Sequence, residues 1–277
     1  MSGATKEWAE LDAVELARAR ADREASGVAA AEAAPAMARE ERGEIAGVPV
    51  LRCEPTDVAS DMPHVFVHGG GWVFGSSTQS LGLIRRIAHQ TRRPVVSVDY
   101  SLAPEHPFPR AIEEVAAVVR VLASELGVSG VSGGSAGAHI ALNAVGRCAD
   151  LDVPGVVLFN GAFGQTTDTW SQRAFGTSEG GATSAGMQLA YNAYAVPTDA
   201  VLPDAAILPP LFLLVGDQDP LLADTLDLYS VVAGARPETR LEVVPGEGHG
   251  FMNQWYASPR IDAAVTEAID WLEQRNR

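Results

Sequence analysis

Two overlapping copies of the pattern Gly-x-Ser-x-Gly lie between Gly130 and Gly137, one centred on Ser132 and the other on Ser135. A serine hydroxyl attacks a carbonyl carbon when a base takes its proton and a strained turn between a strand and a helix exposes it. Ser135 follows an apolar strand and precedes a helix that we expect to begin near Ala136. Ser132 falls within the end of the strand. The spacing therefore predicts that Ser135 is a nucleophile.

A run of three glycines follows the apolar residues 65–67, in the order His68-Gly69-Gly70-Gly71-Trp72. Glycine has no Cβ, so the backbone amides of such a run can approach a substrate oxygen closely. Amide N–H groups stabilise the negative oxygen that forms when a nucleophile adds to a carbonyl. The run therefore predicts an oxyanion hole, and a plain flexible loop is the alternative interpretation.

A carboxylate and a histidine that could complete this chemistry lie further along the chain. Asp219 is in the loop after the apolar run 211–215, at the sheet edge where such folds hold their sites, and Asp217 in the same loop is its rival. His249 follows the last predicted strand, and the glycines beside it allow an exposed position. A histidine can take the serine proton while a carboxylate holds its ring. The chain order Ser135, Asp219, His249 predicts a catalytic triad.

Other histidines and acidic residues are interpreted as structural. His139 lies one turn beyond the predicted nucleophile and is expected to pack or to form a hydrogen bond within its helix. Asp224 is expected on a helix surface. The sequence contains neither His-Glu-x-x-His nor a glycine at the spacing of a calcium loop, so we expect no metal and no cofactor.

Short apolar runs that alternate with helical stretches must position these groups. The predicted strands cover residues 48–51, 64–67, 94–99, 128–131, 156–159, 211–215 and 241–244. The predicted helices cover residues 79–91, 110–126, 136–149, 221–234 and 259–275. Strands that are apolar on both faces and alternate with helices are typical of a mostly parallel sheet between helical layers.

Two segments interrupt this alternation. Residues 6–42 are rich in alanine, glutamate and arginine and predict one or two helices. Residues 162–209 are long for a connection, so we interpret them as a lid or cap insertion with a short helix at 187–194. The predicted organisation is an N-terminal helical cap segment at residues 1–45 and a catalytic domain at residues 46–277 that contains the insertion.

Five motifs in this order resemble the hormone-sensitive-lipase-like branch of the α/β-hydrolase family. They are residues 68–72, residues 99–109, the turn at Ser135, residues 219–221 and residues 249–251. The resemblance implies an α/β-hydrolase fold with an eight-stranded sheet, a small helical cap and activity on carboxylic esters of short to medium acyl chains. It also implies that the backbone N–H groups of Gly70, Gly71 and Ala136 form the oxyanion hole, and that residues 99–109 support the glycine run from behind.

Two positions depart from the pattern of that branch. Gly134 stands beside the predicted nucleophile where aspartate is usual, and Ser101 stands where arginine is common. The missing carboxylate removes a polar support of the turn at Ser135. The triad is retained, but the substrate range is left open.

The composition limits the classes of partner. The chain has 277 residues with 35 acidic and 20 basic side chains, and its formal net charge of -15 disfavours nucleic acid and anionic lipid as partners. Cys53 and Cys148 lack redox or metal-ligand spacing and are expected to be reduced thiols. Residues 1–15 lack the apolar stretch of a secretion signal, and we find no apolar run of the length that a membrane span needs, so we predict a cytoplasmic location.

These residues are compatible with three functions. The first is hydrolysis of a small-molecule ester through an acyl-enzyme. The second is a lyase or an acyltransferase, because fold and triad do not fix the outcome of the reaction. The third is a non-catalytic receptor for a small molecule, a class that does not need a base such as His249. A homodimer is an open alternative for the assembly.

Overall fold

An eight-stranded sheet forms the centre of the protein. The computed structural model describes residues 12–177, 182–197 and 202–276. The strands are β1 Met37–Ile45, β2 Val48–Pro55, β3 His64–Val67, β4 Val95–Val98, β5 Gly130–Gly134, β6 Val156–Phe159, β7 Leu211–Gly216 and β8 Arg240–Val244. Their order is β1-β2-β4-β3-β5-β6-β7-β8, with β3 to β8 parallel and with β1 and β2 antiparallel to their neighbours. The predicted mostly parallel eight-stranded sheet is confirmed.

Helices cover both faces of this sheet. They are α1 Ala13–Glu24, α2 Val28–Ala33, α3 Leu81–Thr91, α4 Arg110–Glu125, α5 Ala136–Arg147, α6 Trp170–Phe175, α7 Ser184–Tyr194, α8 Leu222–Ala235 and α9 Pro259–Gln274, with 3₁₀ helices at Ala25–Gly27 and Phe251–Ala257. Residues of α4, α5 and α8 share one core layer, and those of α3 and α9 share the other. Within the described ranges, no helix is both long and apolar enough to span a bilayer.

The central strands contribute side chains to both core layers. In β3, Val65 and Val67 belong to the layer of α4 and α5, whereas Phe66 belongs to the layer of α3 and α9. Successive side chains of a strand point to opposite faces of the sheet, so a strand covered on both faces is apolar throughout. Trp271 of α9 completes the second layer and packs edge-on against Phe212, with 5.6 Å between the ring centroids.

The prediction of helix for residues 6–42 is wrong in its last part, where Met37–Ile45 form β1. This strand pairs antiparallel with β2 at the edge of the sheet; five of its nine residues are charged, and most are exposed. Ala46 and Gly47 both have positive φ, 54° and 73°, and form the two-residue hairpin turn between the strands. The turn and the pairing with β2 override the helix propensity of the segment. Residues 6–11 lie outside the described residues.

The segment predicted as an insertion, residues 162–209, contains helices α6 and α7. Helix α7 confirms the short helix expected at residues 187–194. Thr169 and Thr183 precede the two helices, and each hydroxyl accepts a hydrogen bond from a backbone N–H in the first turn. Such caps satisfy N–H groups that have no partner within the helix.

Helices α2 and α3 meet at two glycines that leave no room for a side chain. A Cβ on Gly82, in the first turn of α3, would lie 2.4 Å from the carbonyl carbon of Ala30 in α2. A Cβ on Gly27, directly before α2, would lie 2.2 Å from the carbonyl oxygen of Gln79. This contact between backbones therefore sets the position of α2.

We predict that Gly82→Ala destabilises the protein. Alanine normally favours a helix over glycine by about 1 kcal/mol, but here its Cβ would meet the backbone of Ala30, which moves only if α2 moves. The expected loss in the free energy of unfolding is about 1–3 kcal/mol, measured by urea denaturation. Gly43→Ala on β1 is the control, because a Cβ there meets no atom within 4 Å. Equal stability of the two variants would contradict this packing.

Candidate active site

The turn that carries Ser135 joins β5 to α5 with an uncommon backbone conformation. Ser135 has φ 54° and ψ -119°, a combination that a residue other than glycine adopts only where its surroundings enforce it. A Cβ on Gly133 would lie 2.4 Å from the carbonyl oxygen of Gly137, and a Cβ on Gly137 would lie 2.3 Å from that of His68. The two glycines of the motif are therefore required for the close packing of this turn.

Ser132, the centre of the other motif, lies within β5, as predicted, and is buried. Its Oγ is 2.7 Å from Nε2 of His64, which is buried as well. Burial lowers the pKa of His64 to about 3, with a further contribution from Arg93. The Ser132–His64 pair is therefore neutral at physiological pH and belongs to the core.

Ser135, His249 and Asp219 form one chain of hydrogen bonds. Oγ of Ser135 is 3.0 Å from Nε2 of His249, and Nδ1 of His249 is 3.1 Å from each carboxylate oxygen of Asp219. The structure thus brings the three predicted residues together. Asp217, the rival carboxylate, makes a different contact, because its Oδ1 accepts a hydrogen bond from the N–H of Gly246 at 2.7 Å.

The carboxylate of Asp219 is buried and receives two further hydrogen bonds. Nδ2 of Asn160 donates to Oδ2 at 2.5 Å, and the backbone N–H of Leu221 donates to Oδ1 at 2.8 Å. A buried charge needs such partners, because the loss of hydration is costly. The sequence patterns do not predict this role of Asn160. The one sequence feature that points to Asn160 is its position as a polar residue directly after β6, at the edge of the sheet that carries Asp219.

Opposing effects act on the pKa of His249. Burial lowers it, whereas the charge of Asp219 and the hydrogen bond to that carboxylate raise it, and the net pKa lies above the ordinary 6.5. A proton on Nδ1 that is donated to Asp219 leaves the lone pair of Nε2 directed at Ser135. The arrangement therefore suits His249 to accept the proton of the serine.

Three backbone N–H groups are free beside Ser135. Those of Gly70, Gly71 and Ala136 donate no hydrogen bond to an acceptor anywhere in residues 12–177, 182–197 and 202–276. Gly70 has φ 125°, and a Cβ there would lie 2.1 Å from the carbonyl oxygen of Phe74. This position therefore admits only glycine.

Tyr100 and Ala103 contact the glycine run from behind, within the stretch 99–109. The Tyr100 hydroxyl donates to the carbonyl oxygen of His68 at 3.0 Å, and the two rings stack with 4.2 Å between their centroids. The N–H of Ala103 donates to the carbonyl oxygen of Trp72 at 2.9 Å. Both ends of the run are thereby held in place.

A cavity of about 670 Å³ opens at Ser135. Its walls come from the glycine run, the N-terminal helices, α7 and the 3₁₀ helix Phe251–Ala257. Met252 closes the cavity beside the serine, and a Cβ on Gly134 would lie 2.6 Å from the Cε methyl group of Met252. The space next to Ser135 that a side chain at position 134 would enter is therefore filled by an apolar thioether.

His139 is buried behind the glycine run, as predicted for a packed residue. Its ring lies edge-on to that of Trp72, with 5.6 Å between the centroids, and its Nε2 is 3.1 Å from Nε2 of Gln165. Burial lowers the pKa of His139 to about 4. His139 is therefore neutral near pH 7 and serves as part of the packing.

The prediction of Asp224 as a helix-surface residue is wrong. Its relative exposure is 3%, and its Oδ2 accepts a hydrogen bond from the N–H of Gly164 at 2.8 Å. This bond ties α8 to the chain that follows β6. Burial raises the pKa of Asp224 to about 6, although backbone hydrogen bonds from Gly164 and Phe163 act in the opposite direction.

Comparisons with known proteins agree with this architecture. A family model described as the alpha/beta hydrolase fold matches residues 64–253. A hyperthermophilic esterase from the archaeon Pyrobaculum calidifontis is 27% identical, with a TM-score of 0.86 over 97% of this chain and 96% of its own. A thermophilic carboxylesterase cloned from a metagenomic library is 25% identical, with a TM-score of 0.84 over 96% of this chain and 100% of its own. An esterase from the bacterial hormone-sensitive lipase family is 22% identical, with a TM-score of 0.82 over 97% and 94%, and this likeness shows the fold alone.

We predict that Asp224 makes the protein less stable as the pH rises from about 4 to about 6. Its pKa is about 6 in the folded state against an ordinary 3.8, so over this range the folded chain keeps a proton that the unfolded chain releases. The shift corresponds to about 3 kcal/mol in the free energy of unfolding. In Asp224→Asn this titration is absent, so the variant gains about that much stability relative to the wild type between pH 4 and pH 7.

Urea denaturation across this pH range measures the difference. Asp227→Asn, an exposed position on the same helix, is the control and is expected to show only a small part of the difference, because the charge of Asp227 adds less to the raised pKa of Asp224 than burial does. A difference between Asp224→Asn and the wild type that does not change with pH would contradict the raised pKa.

Proposed function

Because this chain belongs to the alpha/beta hydrolase family, we propose that it is a serine carboxylesterase that works through a covalent acyl-enzyme. The observation that carries the proposal is the chain of hydrogen bonds from Ser135 through His249 to Asp219. Three free backbone N–H groups beside the serine support it. Two of the similar structures, at 25% identity or more, are of an esterase and a carboxylesterase, and this is the activity that we extend to the chain.

In the first half of the proposed reaction, Oγ of Ser135 attacks the carbonyl carbon of the ester. Nε2 of His249 takes the hydroxyl proton, and Asp219 stabilises the imidazolium that forms. The carbonyl oxygen gains negative charge, which the three free N–H groups and the N-terminal end of α5 stabilise. His249 then returns the proton to the alkoxide oxygen of the leaving alcohol, and the acyl group stays on Oγ.

The second half uses the same groups in the reverse direction. A water molecule takes the place of the alcohol and attacks the acyl carbon while Nε2 of His249 removes one of its protons. The tetrahedral intermediate collapses, and Oγ of Ser135 leaves with the proton from His249. The products are the carboxylic acid and the free enzyme.

We propose that the N-terminal segment and the insertion act as the cap of the site. The segment 1–45 contributes Ala30 of α2 to the cavity, and the insertion 162–209 contributes Met187 and Ala190 of α7. The proposed catalytic groups all come from the rest of the chain, residues 46–161 and 210–277. A cavity of this size suits small-molecule ligands, in keeping with short to medium acyl chains.

The partners and the location stay predictions. The proposed partner is a small-molecule ester, and the net charge of -15 argues against a nucleic acid. The cytoplasm is the proposed location, and a homodimer is an open assembly that sedimentation at several protein concentrations would test.

We predict that Ser135→Ala loses turnover of p-nitrophenyl acetate, butyrate and octanoate, because the attacking oxygen is removed. The turnover that remains should exceed the uncatalysed rate by no more than about three orders of magnitude. The free N–H groups, which the variant retains, account for that remainder. The wild-type rates rank the acyl lengths that the cavity accepts.

Ser132→Ala is the matched control. It removes the buried hydroxyl at the centre of the overlapping motif, which takes no part in the proposed reaction. Circular dichroism should show that both variants fold, and Ser132→Ala should keep turnover. Full activity of a folded Ser135→Ala variant would rule out the proposed nucleophile.

We predict that Asp219→Asn lowers kcat by about two to four orders of magnitude and moves the acid limb of the kcat/KM profile to lower pH. The reaction needs neutral His249, and Asp219 raises its pKa above 6.5. Without that charge the pKa falls, so the base stays neutral down to a lower pH. The measurement is the pH dependence of kcat/KM with p-nitrophenyl butyrate.

Asp217→Asn is the control in the same loop and should keep both the rate and the acid limb of the wild type. A loss in Asp217→Asn that equals the loss in Asp219→Asn would show that the wrong carboxylate has been assigned.

A further inference from the structure

The N-terminal helices form one wall of the cavity that contains Ser135. Arg23 near the end of α1, Ser26 and Gly27 in the 3₁₀ helix that follows, and Ala30 in α2 all line it. A substrate that fills the cavity and reacts at Ser135 therefore lies alongside these residues.

Among the described residues that line this cavity, Arg23 is the one with a permanently charged side chain. The same walls include no aspartate, no glutamate and no lysine within the described ranges. This composition is opposite to that of the whole chain, in which acidic residues outnumber basic ones by 35 to 20. No carboxylate on the described walls of the cavity therefore neutralises the charge of Arg23.

Helix α1 is fixed firmly to the body of the protein by Arg20. The guanidinium of Arg20 forms two hydrogen bonds with the carboxylate of Glu105, both at 2.8 Å. It also donates to the carbonyl oxygens of Val73 and Ala103, both at 2.9 Å. Val73 follows Trp72 at the end of the glycine run, and Ala103 donates a hydrogen bond to Trp72. These bonds therefore couple the position of α1 to that of the free N–H groups.

Arg23 lies three residues after Arg20 and so on the same face of α1. Its guanidinium carbon is 3.9 Å from the centroid of the Phe74 ring. A cation stacked in this way is held by the ring face, while the N–H groups at the edge of the guanidinium plane stay available.

Arg23 has no acidic partner in the part of the chain that the structure describes, whereas most of the described arginines are ion-paired. The planar guanidinium offers donors in the geometry that matches a carboxylate. An anion that enters the cavity would therefore find a positioned cation that has no competing carboxylate.

We propose that the cavity takes esters that carry a carboxylate away from the scissile bond, and that Arg23 binds that carboxylate. The proposal rests on the proposed ester hydrolysis and names its substrate class. Arg23 acts on binding and takes no part in the bond changes at Ser135.

The test compares esters that carry a carboxylate with uncharged counterparts of the same shape. Mono-p-nitrophenyl esters of dicarboxylic acids with four to ten carbons place the carboxylate in the acyl arm, and butyrate esters of hydroxy acids place it in the alcohol arm. Each compound is paired with its counterpart in which a carboxamide replaces the carboxylate. The readout is the ratio of kcat/KM for the carboxylate to kcat/KM for the carboxamide, which cancels any general loss of activity.

In Arg23→Gln we expect this ratio to fall about tenfold for the best carboxylate compound, mainly through KM, as for a lost hydrogen bond to a charged group. Arg18→Gln is the matched control, because Arg18 is an exposed arginine on the same helix, as Arg23 is, but does not line the cavity. Its ratio should stay that of the wild type. The arm in which the fall occurs identifies the part of the ester that lies against α1.

Two results would overturn the proposal. One is an unchanged ratio in Arg23→Gln for every carboxylate compound, and the other is an equal fall in Arg18→Gln, which would indicate a long-range effect of net charge. Failure of the esterase proposal would give a different result. In that case Ser135→Ala would still turn over the carboxamide compounds.

Discussion

The backbones of two strand ends meet without intervening side chains, and this contact fixes where the groups of the site lie. The carbonyl oxygens of Val67 and His68 come so near to α5 that a Cβ on Gly137 would lie 2.3 Å from each. A Cβ on Gly69 would lie 2.8 Å from the carbonyl oxygen of Gly134. Side chains at these glycines would push the glycine run away from the serine turn, and the free N–H groups would lose their place beside the hydroxyl.

The strained turn depends on its neighbours in the sheet. The N–H of Ser135 donates to the carbonyl oxygen of Phe159 in β6 at 2.8 Å, and its own carbonyl oxygen accepts from Ala138 in α5 at 3.0 Å. Such a backbone conformation costs about 1–3 kcal/mol and persists when the surrounding structure determines it from several sides. Asn160, directly after β6, supports the buried carboxylate of Asp219. The end of β6 thus supports both groups, the turn of the nucleophile through Phe159 and the acid through Asn160.

Much of this arrangement is predictable from the sequence because the central strands are covered on both faces. Their continuous apolar runs indicate strands. Residues in the turns and loops that follow those runs, such as Ser135 and Asp219, must gather at one edge of the sheet. The resemblance drawn from the motifs is confirmed by the family match over residues 64–253.

The wrong predictions for β1 and Asp224, and the role of Asn160 that was not predicted, also have physical causes. Strand β1 has polar residues on an exposed edge, so nothing in its composition distinguishes it from a surface helix. The burial of Asp224 depends on how α8 packs against the chain after β6, and a contact between distant segments leaves no periodic signal in the sequence. Asn160 is one polar residue after an apolar run, a pattern that many loops share.

The most direct test of the account is the residue at which a fluorophosphonate reacts. Intact-mass measurement after treatment of the folded protein, followed by mapping of the modified peptide, gives both the number of adducts and their position. The account predicts one adduct per chain, on Ser135, because among the hydroxyl groups of the described residues it alone combines a hydrogen bond to His249 with free N–H groups that stabilise the phosphoryl oxygen. An adduct on another residue, or a folded protein that forms none, would contradict the central claim that Ser135 is the nucleophile.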